Sequence, residues 1–440
     1  MKRILPAAVL LLLLAGCSMG TQNAAESAPA AGAALSASEA EASDLALTES
    51  AVEPAPMTAE TAADPETDGE AAALEASEVQ ETPEVSEIPA EPEVWQPTSL
   101  RDVLPAGPVV KADGTELESL SGDGVTLVQD TVLMTAYPWL TQVEGDGDYP
   151  AYTDRYGNVI TLSWEATDGT DFTYSGSGGV CFEGEGLEYW LPLREVTELL
   201  GLELLWDGEW GEAFVTTPLD TTAIAQGVSI PVLMYHETSD DLWGISSLFV
   251  SPDNLRQQLQ YLQENGYEPI FFSDLTHIED YEKPVLITCD DGYIGNYTYL
   301  YPLLKEFNMK ATIFVITGMV GEEHYMSADQ IRELSDSGLV DIQSHTLHHY
   351  QLATISAEEQ AYEMSQSRLE LARITGKVPY VLAYPNGSND SNTRTLGPDY
   401  YTFGVLMNGG IWTTGGDWFG VTRSYVNRDT DLSGFAALLG

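Results

Sequence analysis

The chain has 440 residues, three of them cysteine, and 17 Lys and Arg against 69 Asp and Glu give it a formal net charge of −52. That length exceeds what one core supports and predicts two folded domains plus unstructured sequence. The charge excludes nucleic acid and anionic polymers as partners and favours a neutral glycan or a cationic product, although solubility accounts for most of it.

In residues 1–17, Lys2 and Arg3 precede an apolar run from Ile4 to Leu14 and then Leu14-Ala15-Gly16-Cys17. A charged start, a short apolar stretch and small residues before a cut describe a secretory signal, too short to span as an ordinary transmembrane helix. Leu-Ala-Gly-Cys resembles the bacterial lipoprotein cleavage box. That resemblance implies lipidation of Cys17 and an exported protein anchored to the outer face of a bacterial membrane, at the cell surface. Residues 18–98 are dominated by Ala, Glu, Pro, Ser and Thr, with no Lys or Arg. Such a segment cannot bury enough apolar surface to offset the entropy of ordering, so it is expected to be a disordered acidic tether, stiffened by like charges.

Residues 99–222 are expected to form a small α+β domain. Val125-Thr126-Leu127-Val128 and Val159 to Trp164 alternate as strands do, between Gly-Asp turns. Tyr189 to Gly201 reads as a helix ended by glycine, followed by a strand-turn-strand around Trp206-Asp207-Gly208-Glu209. Residues 180–218 resemble the small domain at the N-terminus of copper amine oxidases, without its copper chemistry, since no His is present. Trp190, Trp206 and Trp210 could stack on sugar rings, although core or turn packing is the commoner use. Cys181 and Cys289 fall in different domains, so free thiols are expected.

From 228 to 440, apolar strands at about 230–235, 268–272, 284–289, 310–316, 339–343, 380–384 and 401–406 alternate with helical patterns. That is a barrel-like β/α succession. Ser251-Pro252 and Ser356-x-x-Glu359 mark helix starts, and Gly266, Gly338 and Gly376 mark stops. In such a barrel His236, Asp290, Asp291, His345 and Tyr384 all sit at strand ends and converge on the C-terminal face, where catalytic groups gather.

Two segments there carry chemistry. Thr288-Cys289-Asp290-Asp291-Gly292 ends a buried strand in two adjacent acids, which repel unless a cation neutralises one while the other acts as base. Ser344-His345-Thr346-Leu347-His348-His349 places two histidines four apart. In a helical turn both imidazoles share one face, roughly 5 to 6 Å apart, with His348 pointing elsewhere. Two imidazoles and a carboxylate suit a divalent ion, zinc above others. Cys289 is expected to face away from this site, because neighbouring strand residues point oppositely.

Thr-Cys-Asp-Asp-Gly resembles the Thr-Phe-Asp-Asp-Gly motif of the polysaccharide deacetylase (NodB-homology) family, and His345-Thr346-x-x-His349 resembles its histidine motif. Pro231-Val232-Leu233-Met234-Tyr235-His236 and Leu382-Ala383-Tyr384-Pro385-Asn386-Gly387 are also similar, and point to the branch with poly-N-acetylglucosamine deacetylases. The resemblance implies a distorted (β/α) barrel, Asp290 as base, and Asp291, His345 and His349 as metal ligands. It also implies an oxyanion or substrate site at Asn386 and Tyr384. Two departures stand out. No His follows His349, so His236 is the substitute proton donor, with Asp417 orienting it. Ala383 replaces the motif arginine, so Arg423 from the last strand is the candidate partner of the base.

These readings leave three function classes: a metal-dependent N-deacetylase of N-acetylglucosamine-containing surface or cell-wall polysaccharide, an O-acetyl polysaccharide esterase with the same site, and a glycan-binding surface lipoprotein with a weak site. A monomer is expected.

Overall fold

The structure, a computed structural model, describes residues 97–440 apart from 146, 170–173, 175–177 and 185. The signal segment 1–17, Cys17 and the tether up to residue 96 lie outside the described residues. Among the described residues no helix is long and apolar enough to cross a membrane.

The C-terminal part is a closed ring of seven parallel strands: β1 (Val232–Tyr235), β2 (Pro284–Cys289), β3 (Ala311–Val315), β4 (Val340–Ser344), β5 (Val381–Ala383), β6 (Phe403–Gly409) and β7 (Val421–Tyr425). Each pairs with the next in chain order, β7 pairs back to β1, and β1 to β2 completes the ring. Side-chain parity splits the apolar residues into two layers. Val232, Leu286, Phe314, Val381, Ala383, Phe403 and Val405 form one cluster, closed by Ile270, Phe272, Leu275 and Ile278. Leu233, Ile287, Cys289, Ile313 and Val315 belong to another, with Leu255, Leu259 and Leu262 of helix α1 (Pro252–Glu264). Cys289 is therefore on the helix side of its strand, and both it and Cys181 are free and buried.

The expected strand at 268–272 is not part of the ring. Only Glu268–Pro269 pair, with Pro284 and Val285, and the chain then turns into a 3-10 segment, Phe272–Asp280, whose apolar side chains close the barrel interior. Conversely β7 was absent from the series of apolar runs, because Val-Thr-Arg-Ser-Tyr carries one aliphatic residue. Helix starts follow the sequence signals. Ser251 caps Asn254 N–H with Pro252 in the first turn of α1, and further along Ser356 and Glu359 form a reciprocal capping box on the long helix Ala357–Thr375.

The preceding small domain has a four-stranded sheet (203–207, 212–216, 109–112, 115–117), a five-stranded sheet (119–122, 125–129, 187–192, 179–183, 164–167) and a three-stranded meander. Tyr189–Pro192 end a strand rather than begin a helix: Trp190 and Leu191 pair with Gln129 and Val128, and the helix runs from Leu193 to Leu199. Trp190 is core, whereas Trp206 and Trp210 are exposed. The domain rests on Ala357–Thr375, where Arg368 donates to both Glu203 carboxylate oxygens (2.5 and 2.6 Å) and Arg373 to Asp207 (2.6 Å).

Candidate active site

Asp290 follows the last residue of β2 and points inward by strand parity, as Leu286 does. Asp291 would point outward if the strand continued, but its backbone is left-handed (φ 74°), as is Gly292 (φ 80°). This turn brings two consecutive carboxylates to one place. Thr346 (φ 65°), His349 (φ 61°) and Asn386 (φ 53°) are also left-handed, so strained backbone concentrates around the site.

His345 and His349 do not lie on a helical turn; residues 345–350 are irregular. Local bonds hold this loop instead: Thr346 N–H donates to Ser344 Oγ (3.2 Å) and His349 N–H to Thr346 Oγ1 (3.1 Å). Thr317 N–H and Gly318 N–H bind the carbonyls of Thr346 and Leu347. The two imidazoles end with centroids 4.8 Å apart. His348 is turned away, its ring on Glu363 (2.7 Å).

His345 Nε2 and His349 Nε2 lie 3.4 and 3.6 Å from Asp291 Oδ1, and one ligand atom from each residue falls within 4.8 Å of the others. His345 Nδ1 is 2.9 Å from the Ala383 carbonyl, so Nδ1 carries the proton and Nε2 offers its lone pair to the cluster. Burial opposes ionisation of Asp291, but the histidines outweigh it and hold its carboxyl well below the usual range. Burial and the neighbouring His345 push His349 down to about 4. Three converging donors, two imidazoles and a carboxylate, with Asp291 and His345 buried and His349 partly exposed, fit a divalent cation.

Asp290 is buried and held by Arg423, whose Nη1 and Nη2 donate to Oδ1 and Oδ2, both at 2.7 Å. The guanidinium also donates to Leu406 O (2.7 Å) and Thr288 Oγ1 (3.1 Å). Burial raises the Asp290 pKa, yet Arg423 prevails and leaves it below the usual carboxylate value. The arginine missing at position 383 is thus supplied across the ring from β7.

His236 follows β1, is buried, and packs edge-on against Tyr425 (5.6 Å) with Nδ1 unpartnered. Burial lowers its pKa below the ordinary histidine value against the pull of Asp291 and Asp290. Asp417 does not orient it: Asp417 is exposed and accepts from Arg394 Nη1 (2.7 Å) and Phe419 N–H (2.9 Å), within the loop between β6 and β7. Tyr384 does not line the site either. With Ala383 inward, Tyr384 faces outward among Leu352, Met364, Leu382 and Tyr401, and its hydroxyl donates to Phe419 O (3.1 Å). Asn386, two residues on, is exposed in the turn after β5. Sequence reasoning passed over Tyr293, two residues beyond Asp291, which is buried against Tyr325 (ring centroids 5.0 Å) and whose phenol pKa is raised by burial and then by the Asp291 charge. That spacing was the available signal.

The fold and site together define an α/β-barrel hydrolase with a His2Asp cluster beside an arginine-held acid. The polysaccharide deacetylase profile matches residues 277–400, a span that holds the Asp and His motifs but neither His236 nor Arg423. Bacillus subtilis (strain 168) YxkH, whose name places it among polysaccharide deacetylases, is 30% identical over 216 residues, covering 48% of this chain and 76% of that protein. The chain belongs to the polysaccharide deacetylase family. The poly-beta-1,6-N-acetyl-D-glucosamine N-deacetylase of Escherichia coli (strain K12) is 28% identical over 139 residues, 27% of this chain and only 21% of that enzyme. The structure of Streptococcus pyogenes deacetylase PplD in complex with acetate is 26% identical with a TM-score of 0.46, covering 49% of this chain and 99% of that one. Residues 1–18 match the prokaryotic membrane lipoprotein lipid attachment site.

Proposed function

We propose that this protein removes N-acetyl groups from N-acetylglucosamine-containing polysaccharide at the cell surface, with a divalent metal, zinc for preference, held by Asp291, His345 and His349. The observation that carries the reading is the pairing of that cluster with a separate buried carboxylate, Asp290, kept ionised by Arg423. The bound ion would supply Lewis acidity toward the acetyl carbonyl and toward water. Asp290 takes the proton of the attacking water. The Asn386 backbone N–H, in the turn after β5, is assigned the developing oxyanion. His236 gives the departing amine nitrogen its proton, which an amide needs because its anion is a poor leaving group.

The lipid attachment match supports an exported protein anchored through Cys17 at the outer face of the membrane, with the 18–98 tether as spacer, and a monomer is the proposed state. The 99–222 domain, likened in sequence to the copper amine oxidase N-terminal module, is proposed as a separate fold resting on the 228–440 barrel. The test is acetate release from N-acetylglucosamine oligomers and from O-acetylated sugars, before and after chelation and zinc return. Release from oligomers, lost on chelation and restored by zinc, is expected; release from O-acetylated sugars alone makes the protein an esterase, and release from a metal-stripped sample removes the mechanism.

A further inference from the structure

An aromatic group beside the triad has no part in the chemistry above. Trp243 lies in the 239–248 loop, which leaves the barrel just after His236 and Glu237–Thr238. Its indole stacks flat on His324 (centroids 4.2 Å, planes 4° apart) and meets Phe249 and Tyr293 edge-on at 5.2 and 4.9 Å. Three rings therefore fix its orientation, and 36% of its surface still faces solvent.

Its support is rigid. Ile294 N–H donates to His324 O (2.8 Å) and Met326 N–H to Gly292 O (3.1 Å), tying the His324 strip to the chain that follows Asp291. Tyr293 spans the gap, its ring against the indole and its backbone two residues along the chain from Asp291. The part of the indole that these three rings leave uncovered is an aromatic surface open to solvent, one ring removed from Asp291. We propose that Trp243 is the stacking platform for a pyranose ring of the substrate, fixing the sugar whose acetamide enters the site. The proposal rests on the deacetylase reading and names a specificity-determining residue for it. A sugar ring is the occupant that fits, since its axial C–H face is apolar, its rim hydroxyls stay wet, and the reacting group must lie within one residue's reach of the cluster.

The test compares wild type, Trp243→Ala and Trp243→Phe on β-1,6- and β-1,4-linked N-acetylglucosamine oligomers. Trp243→Ala is expected to raise KM by roughly three- to tenfold, the scale of one lost aromatic stack. Its kcat and zinc content should stay close to wild type, and Trp243→Phe should restore most of the affinity. Indole fluorescence of the wild type should respond saturably to oligomer, and that response should vanish in Trp243→Phe. An unchanged KM in Trp243→Ala, or a fall in kcat with loss of zinc, overturns the platform. If wild type releases no acetate, the deacetylase reading fails, and the fluorescence titration alone decides whether a glycan binds here. Emission that shifts with phospholipid vesicles but not with oligomer assigns the loop to lipid and overturns the proposal.

Discussion

Asp290 and Asp291 are neighbours in sequence with different electrostatic partners, and their substitutions should separate accordingly. Asp290→Asn is expected to keep bound zinc and lose rate by about 10² to 10⁴, the contribution of a general base. It should also melt earlier, because Arg423 loses an anionic partner in a buried position, at a cost of about 3–5 kcal/mol. Asp291→Asn and His345→Ala should instead lower zinc content, measured by metal analysis; equal zinc loss in both acids would mean that this division of roles is wrong. The pH profile has a defined sign. With Asp290 held below the usual carboxylate range, activity should fall on the acid side only below that range. His236 as proton donor acts only while protonated, so activity is lost as pH rises through its pKa, which burial sets lower than an ordinary histidine's. His236→Ala should remove that alkaline limb of kcat/KM and slow amides far more than activated acetate esters. Equal losses on both substrates, with less zinc, would make His236 a structural residue or a ligand.

At the scale of elements, the site is built by strand ends and by turns that reverse strand parity. Gly292→Ala should be costly: at φ 80° a side chain is strained, and its Cβ would meet Val315 at 3.2 to 3.4 Å. The expected result is a loss of about 1–3 kcal/mol in melting experiments and weaker zinc retention, as Asp291 is displaced. Unaltered zinc affinity would show that the turn tolerates the methyl. The same geometry explains what could be read from sequence. Asp290, Asp291, His345 and His349 were legible because each pair is local, and the strand before Asp290 is an unbroken apolar run. The helical spacing of the histidines was the wrong mechanism for a correct proximity, since left-handed Thr346 and His349 do what a helix was expected to do. Tyr384 was misassigned although the sequence held the correction: if Ala383 stands where an arginine would point inward, the next residue points out. Asp417 was beyond reach, because nothing local says that its loop turns toward Arg394.

In the whole molecule, two regions far apart in sequence meet through charged contacts. Arg368 is nearly buried under the small domain and spends both terminal nitrogens on Glu203. Arg368→Ala is expected to destabilise the chain by about 1–3 kcal/mol and to expose residues 203–216 to protease, with zinc content unchanged. Protection equal to wild type would mean that the apolar contacts hold the domain by themselves. The barrel ring has a further consequence, in time rather than in space. Arg423, which holds Asp290, lies in β7, the strand inserted between β6 and β1 to close the ring. A polypeptide made from its N-terminus presents Asp290 some 130 positions before Arg423. Until those last strand residues emerge, the acid has no counter-charge and the ring stays open at β1. A chain cut short before residue 421 would carry Asp291, His345 and His349 but neither the strand that closes the ring nor the arginine that holds Asp290.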